Sequence, residues 1–268
     1  MNILSKLSIA CAFILCLASC KKKDDDNNNN THTPAGPVCG MHSMVHHYNG
    51  CKDSTVILGS LFDKMSGFLK FSNCPGGVPG QLTITGKTFI YDGNKVYIVD
   101  TAAMADRDTL IVEAGSLRIL EVRRSSSLAG GQIATSYEYA ADGTLLRSIS
   151  SFNSVPYDTA LYTFSNGDMV MQVNTQMGHP DTIRYSYYTD KPVPANGYVI
   201  QNGLRYGSAF TYKNAHLLKG PIDGQGTLLI HYSYESGSYG NITRLVSTTT
   251  TGAPQSDTTT YHYVCIVE

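Results

Sequence analysis

From about Phe89 onward, apolar and polar residues alternate in short runs, and an aromatic-x-aromatic step recurs through them. The steps are Phe89-Ile90-Tyr91, Tyr137-Glu138-Tyr139, Tyr162-Thr163-Phe164, Tyr185-Ser186-Tyr187, Phe210-Thr211-Tyr212, Tyr232-Ser233-Tyr234 and Tyr261-His262-Tyr263. Residues two apart on a strand share a face, so each aromatic pair points one way. The first members are 48, 25, 23, 25, 22 and 29 residues apart. The first interval is about double the rest, as if one unit near Thr109 to Val122 had lost its aromatics. A period of about 24 residues holds two strands and two turns. Asp92-Gly93, Asp142-Gly143 and Asn166-Gly167 follow three of the steps and are dipeptides favoured in tight hairpins, where both central residues need positive φ. Apolar strands come next, such as Val96-Tyr97-Ile98-Val99 and Met169-Val170-Met171-Gln172-Val173. The pattern predicts an all-β fold: an extended antiparallel meander of hairpins over residues 81–268, either an open twisted sheet or a half-closed barrel.

Ahead of the repeat the pattern changes. Leu61, Met65, Phe68 and Leu69, preceded by Ser60, have the spacing of a short capped helix. Cys74-Pro75-Gly76-Gly77-Val78-Pro79-Gly80 reads as loop. Residues 38–80 are therefore expected to form a small disulfide-bound cap, part of one domain with the sheet.

The front of the chain has the parts of an export leader. Lys6 supplies a positive start and Leu7 to Leu17 an apolar run, too short for the about 20 residues that span a bilayer as a helix. Leu17-Ala18-Ser19-Cys20 resembles the lipobox at which bacterial lipoprotein precursors are cut and acylated. The resemblance implies a signal peptide over 1–19 and lipidation at Cys20. The solvated run Lys21 to Asn30 cannot bury enough apolar surface to fold, so 20–37 reads as a disordered tether. Leader and tether together resemble Bacteroidetes-type lipoproteins. That likeness implies an outer membrane lipoprotein of a Gram-negative bacterium, at the cell surface or the periplasmic face. In such proteins acidic residues after the lipidated Cys can mark surface export; here Lys21-Lys22-Lys23 come before the aspartates. The stretch Tyr137-Glu138-Tyr139-Ala140-Ala141-Asp142-Gly143-Thr144-Leu145 looks like one unit of the YD repeats of Rhs-type surface proteins. The later units depart from it, since Thr189-Asp190-Lys191 and Lys213-Asn214-Ala215 lack the turn glycine. This resemblance implies a β scaffold and no chemistry.

Composition narrows the classes further. Charged residues are 15% of the chain, there are 18 Tyr and no Trp, and the formal net charge is −1. No basic patch stands out beyond the tether lysines, which face three aspartates, so nucleic acid is not an expected partner. Cys39, Cys51, Cys74 and Cys265 remain after the leader and Cys20, an even number suited to an oxidising compartment. Of the three pairings, Cys39–Cys51 with Cys74–Cys265 is the expected one.

Candidate chemistry is sparse. His42 and His46, with Met41 and Met44 nearby, are the one metal-binding candidate, since residues four apart share a helix face. The spacing matches no closed zinc site. Tyr137, Tyr139, Tyr185, Tyr187, Tyr232 and Tyr234 could form an aromatic platform for a glycan or protein ligand. Cross-strand aromatic pairs are also ordinary sheet stabilisers. Glu113 with Glu121, Glu138 with Asp142, and His179 with Asp181 sit in no motif that positions a nucleophile, a base and an orienting group. The expectation is a non-catalytic, membrane-anchored extracytoplasmic lipoprotein that binds a glycan or a protein and needs no cofactor. The alternatives are an envelope-assembly component and a metal binder through the N-terminal His/Cys cluster.

Overall fold

The computed structural model describes residues 38–48, 51–59, 65–73, 83–100, 107–126, 130–194 and 210–266. The leader, Cys20, the tether and Cys74 lie outside the described residues. Contacts divide the chain into Met1–Ala35 and Gly36–Glu268, and the second unit holds the fold.

That unit is a 16-stranded antiparallel sheet. Its strands are β1 (Val38–Tyr48), β2 (Cys51–Gly59), β3 (Met65–Ser72), β4 (Thr83–Asp92), β5 (Lys95–Asp100), β6 (Arg107–Val112), β7 (Ile119–Ser126) and β8 (Gly131–Tyr139), followed by β9 (Leu145–Phe152), β10 (Val155–Ser165), β11 (Asp168–Gln176), β12 (His179–Pro192), β13 (His216–Ile222), β14 (Ile230–Ser236), β15 (Ile242–Thr249) and β16 (Ser256–Ile266). Each strand pairs with its sequence neighbour except at one place, and β1 also pairs with β16. The meander thus curls into a nearly closed barrel with one seam, between β13 and β14. At the seam a single bridge, Ile222 to Leu228, stands in for a ladder. Higher up, tyrosine hydroxyls span the gap: Tyr188 donates to the Tyr232 carbonyl at 2.8 Å and Tyr234 to the Leu218 carbonyl at 2.8 Å. Gly220 is required there, because a Cβ would sit 1.8 Å from the Ile230 carbonyl oxygen.

The expected meander is present, and the aromatic period has a plain meaning. Every second strand runs toward the same end of the barrel, called here the upper end. The steps sit on those strands: β4, β8, β10, β12, β14 and β16. The missing unit is β6, where Leu110 and Val112 take the inward positions. Among the three turn dipeptides, only Asn166-Gly167 has both residues at positive φ (52° and 81°). Asn153-Ser154 and Met177-Gly178 adopt the same turn without the expected signature.

Three expectations need correction. The N-terminal stretch is no cap: β1, β2 and β3 are staves of the barrel wall. The predicted helix is not formed over its described part, since Met65 to Ser72 form β3, paired with β2 and β4 on either side, while Leu61 lies outside the described residues. A nine-residue helix is marginal by itself, and two ready ladders outweigh its propensity. Finally, Cys39 stands opposite Cys265, whereas Cys51 opens β2 opposite Tyr48 at the far end of β1. A Cys39–Cys51 bond would have to reach ~30 Å along a strand, against about 7 Å at most for bridged Cα atoms. Cys51 and Cys265 are each disulfide-bonded.

The interior is apolar on one side and richer in tyrosine on the other. Ile57, Met65, Phe89, Val96, Ile98, Leu110, Val112, Ile119 and Val122 make the main core, and Val96, Leu110 and Ile119 have no solvent exposure. A smaller core forms around Leu217, Ile242 and Tyr261, and Met41 and Met44 of β1 touch both.

Candidate functional site

All six tyrosines expected to form a platform face the interior, and the hydroxyls of Tyr139, Tyr185, Tyr187 and Tyr234 bond to the wall. Tyr139 approaches the carbonyls of Ile119 (2.6 Å) and Thr211 (3.0 Å). Tyr187 donates to the Met169 carbonyl at 2.7 Å, and Tyr185 reaches Gln172 at 3.4 Å. Tyr137 packs against the main core, and Tyr234 clasps the seam. Burial pushes the phenols of Tyr139, Tyr185, Tyr187, Tyr232 and Tyr234 upward, so they stay protonated donors. These half-buried rings form a girdle on the inner face of the wall.

The histidine pair is not assembled either. A bulge between Met41 and Ser43 leaves His42 exposed, while His46 turns inward, stacks on Tyr48 at 5.0 Å and meets Thr259 Oγ1 at 2.8 Å. No cluster of three or more His, Cys, Asp or Glu able to hold a metal occurs among the described residues. Beneath His46, Asp53 is 4% exposed and pairs with Lys70 Nζ at 2.6 Å. Burial alone would raise its pKa, but hydrogen bonds from Lys70, Ser72 and Tyr48 and the Lys70 charge outweigh it and hold it low.

The site that the fold builds lies at the upper mouth. Hairpin turns β6–β7, β8–β9 and β10–β11 converge there with the strap Phe210–Ala215, which leads into β13. The strap is fixed by main-chain bonds from Ile119 N to Phe210 O (2.7 Å), Phe210 N to Leu117 O (3.2 Å) and Ala215 N to Gly167 O (3.1 Å). Asn214 accepts from Met169 N at 2.9 Å, and buried Asp168 receives both His216 N and His216 Nδ1 at 2.8 Å. The Phe210-x-Tyr212 step is therefore not a strand but the piece that narrows the mouth.

Between strap and turns is a cleft of about 390 Å³, inside the roughly 300–1,000 Å³ of small-molecule sites. Phe164 and Tyr212 meet edge to face in it, 6.0 Å between ring centres. Arg118 lies over the Tyr139 ring at 4.6 Å, pairs with Glu113 at 2.5 Å and donates to Gly143 O at 3.3 Å. Asp142, Asn166 and Lys213 add to the polar lining. Glu113 is held low by Ser116 and then Arg118, and Asp142 by the Thr144 amide, so both are carboxylates. Sequence reasoning found the turns at Asp142 and Asn166 but not the cleft. The strap reaches it across more than forty residues of sequence, and no local signal reports that.

No protein-family model matches the chain, and no curated protein does either. Among solved structures, the chain is similar to a porin-like protein from Bacteroides uniformis, with 11% identity and a TM-score of 0.65. A porin-like protein from Bacteroides vulgatus matches with 14% identity and a TM-score of 0.55. Each comparison covers 84% of this chain and 98% of the other. At these identities the likeness is one of fold: a nearly closed antiparallel barrel.

Proposed function

We propose that the protein is a lipid-tethered envelope binding protein whose barrel stays in water, held to the outer membrane through Cys20 rather than by its strands. The observation that carries this reading is the polarity of the wall. A membrane-spanning barrel turns an apolar band about 25 Å tall outward, flanked by aromatic girdles, and keeps its lumen polar. Here the aromatic steps point inward. Outside lie the ion pairs Glu121–Arg123, Glu138–Arg147 and Glu235–Arg244 at 2.6–2.7 Å. The sealed core around Val96 and Leu110 also suits a packed scaffold better than a channel.

Detergent phase separation of the full chain tests this. The native protein is expected in the detergent phase and Cys20→Ala in the aqueous phase, with no conductance from the native protein in planar bilayers. Discrete channel openings, or retention of the folded variant in detergent with its leader removed, would overturn the reading.

A further inference from the structure

We infer that the upper-mouth cleft is a binding site for a neutral oligosaccharide. This rests on the binding-protein reading above and names its site and ligand class.

The lining selects by elimination. It carries two carboxylates, Glu113 and Asp142, and two cations, Arg118 and Lys213. These cancel, so there is no surplus positive charge of the kind that holds a phosphate or a sulfated ligand. A purely apolar ligand fits no better, because it would strip water from four charged groups and from Asn166 without replacing their hydrogen bonds. An uncharged molecule with apolar ring faces and hydroxyls at the rim meets both conditions. Its faces would lie against Phe164 and Tyr212, and its hydroxyls would both donate to carboxylates and accept from amide and ammonium groups.

The cleft is also built to keep its shape. Glu113 and Arg118 are locked to each other, and Arg118 is held between the Tyr139 ring and the Gly143 carbonyl. Asp142 is oriented by its Oδ1 accepting the Thr144 amide at 2.9 Å. Asn166 sits at positive φ in a two-residue turn whose neighbour Gly167 anchors the strap. Preorganised polar groups lose little freedom when a ligand arrives, which favours recognition of a flexible sugar.

The experiment is calorimetric titration of the full-length lipoprotein in detergent micelles with maltohexaose, cellohexaose, xylohexaose and mannohexaose, with polygalacturonate as the anionic control. At least one neutral sugar is expected to bind saturably, and polygalacturonate to bind at least tenfold more weakly. The rim variant Lys213→Ala with Asn166→Gly, which keeps the glycine-compatible turn, should lose at least tenfold in affinity while circular dichroism stays unchanged. His42→Ala, remote from the mouth, should bind as the native protein does. Failure of all four sugars to bind at millimolar concentration overturns the inference, as does binding that the rim variant retains or a preference for the polyanion. None of these results touches the water-facing barrel, which phase separation tests independently.

Discussion

Burial pushes the Tyr263 phenol up to about 12, and the same cause raises Tyr139, Tyr187, Tyr212, Tyr234 and Tyr261. An unfolded tyrosine ionises near pH 10. The fold therefore holds these protons more tightly than the unfolded chain does. The stability this contributes is whole below about pH 10 and is lost as pH rises through the folded values. Phenolate absorbance should rise in two stages: first the accessible fraction of the 18 tyrosines, then the girdle together with loss of the β circular dichroism signal. A single titration near pH 10 in a protein that stays folded would contradict it. One hydroxyl can be tested directly. Tyr139→Phe removes a donor shared between Ile119 O and Thr211 O, and should cost about 1 kcal/mol by thermal or denaturant unfolding. These roles were invisible in sequence: the step announces a shared face, but not whether that face looks into a core or out to a ligand.

At the scale of elements, register decides what spacing left open. Cys39 stands opposite Cys265 across the β1–β16 ladder, and Cys51 is itself disulfide-bonded, which leaves Cys74 as its expected partner. A non-reducing peptide map is expected to yield Cys39–Cys265 and Cys51–Cys74; a Cys39–Cys51 peptide would refute the register. The seam gives a second test. Gly220 has φ of 152° and no room for a Cβ beside Ile230 O, so Gly220→Ala should destabilise by about 1–3 kcal/mol or more, read from the unfolding midpoint. Strands and their direction were legible wherever aromatics alternated, and even the silent unit at β6 left its mark in a doubled interval. Leu61 to Leu69 misled because the same apolar residues satisfy a helical spacing, and only the flanking ladders choose between strand and helix. His42 and His46 were separated by a bulge, which shifts the face of a strand without altering sequence spacing.

For the whole molecule, fold and function point different ways unless face polarity is read. The sixteen described strands curl into a nearly closed barrel, and at this size a round barrel leaves an aqueous lumen. This barrel instead fills one side with aliphatic residues and carries the ion pairs Glu121–Arg123, Glu138–Arg147 and Glu235–Arg244 on its outer face, while Asp53–Lys70 and Asp168–His216 lie inside. Arg123 is central in β7, next to fully inward Val122. An arginine on the lipid face at the bilayer midplane would cost about 2–4 kcal/mol, and Arg147 and Arg244 would add to it. Exposed Leu58, Ile84, Ile90, Leu120, Leu146, Leu161 and Val264 interrupt the polar face. Cysteine substitutions at Arg123, Thr163 and Ser233, spaced around the outer wall, are therefore expected to react with a membrane-impermeant maleimide in proteoliposomes as fast as in detergent. Protection of all three in liposomes, with reactivity restored by detergent, would mean that the wall lies in lipid and that the ion pairs are tolerated there.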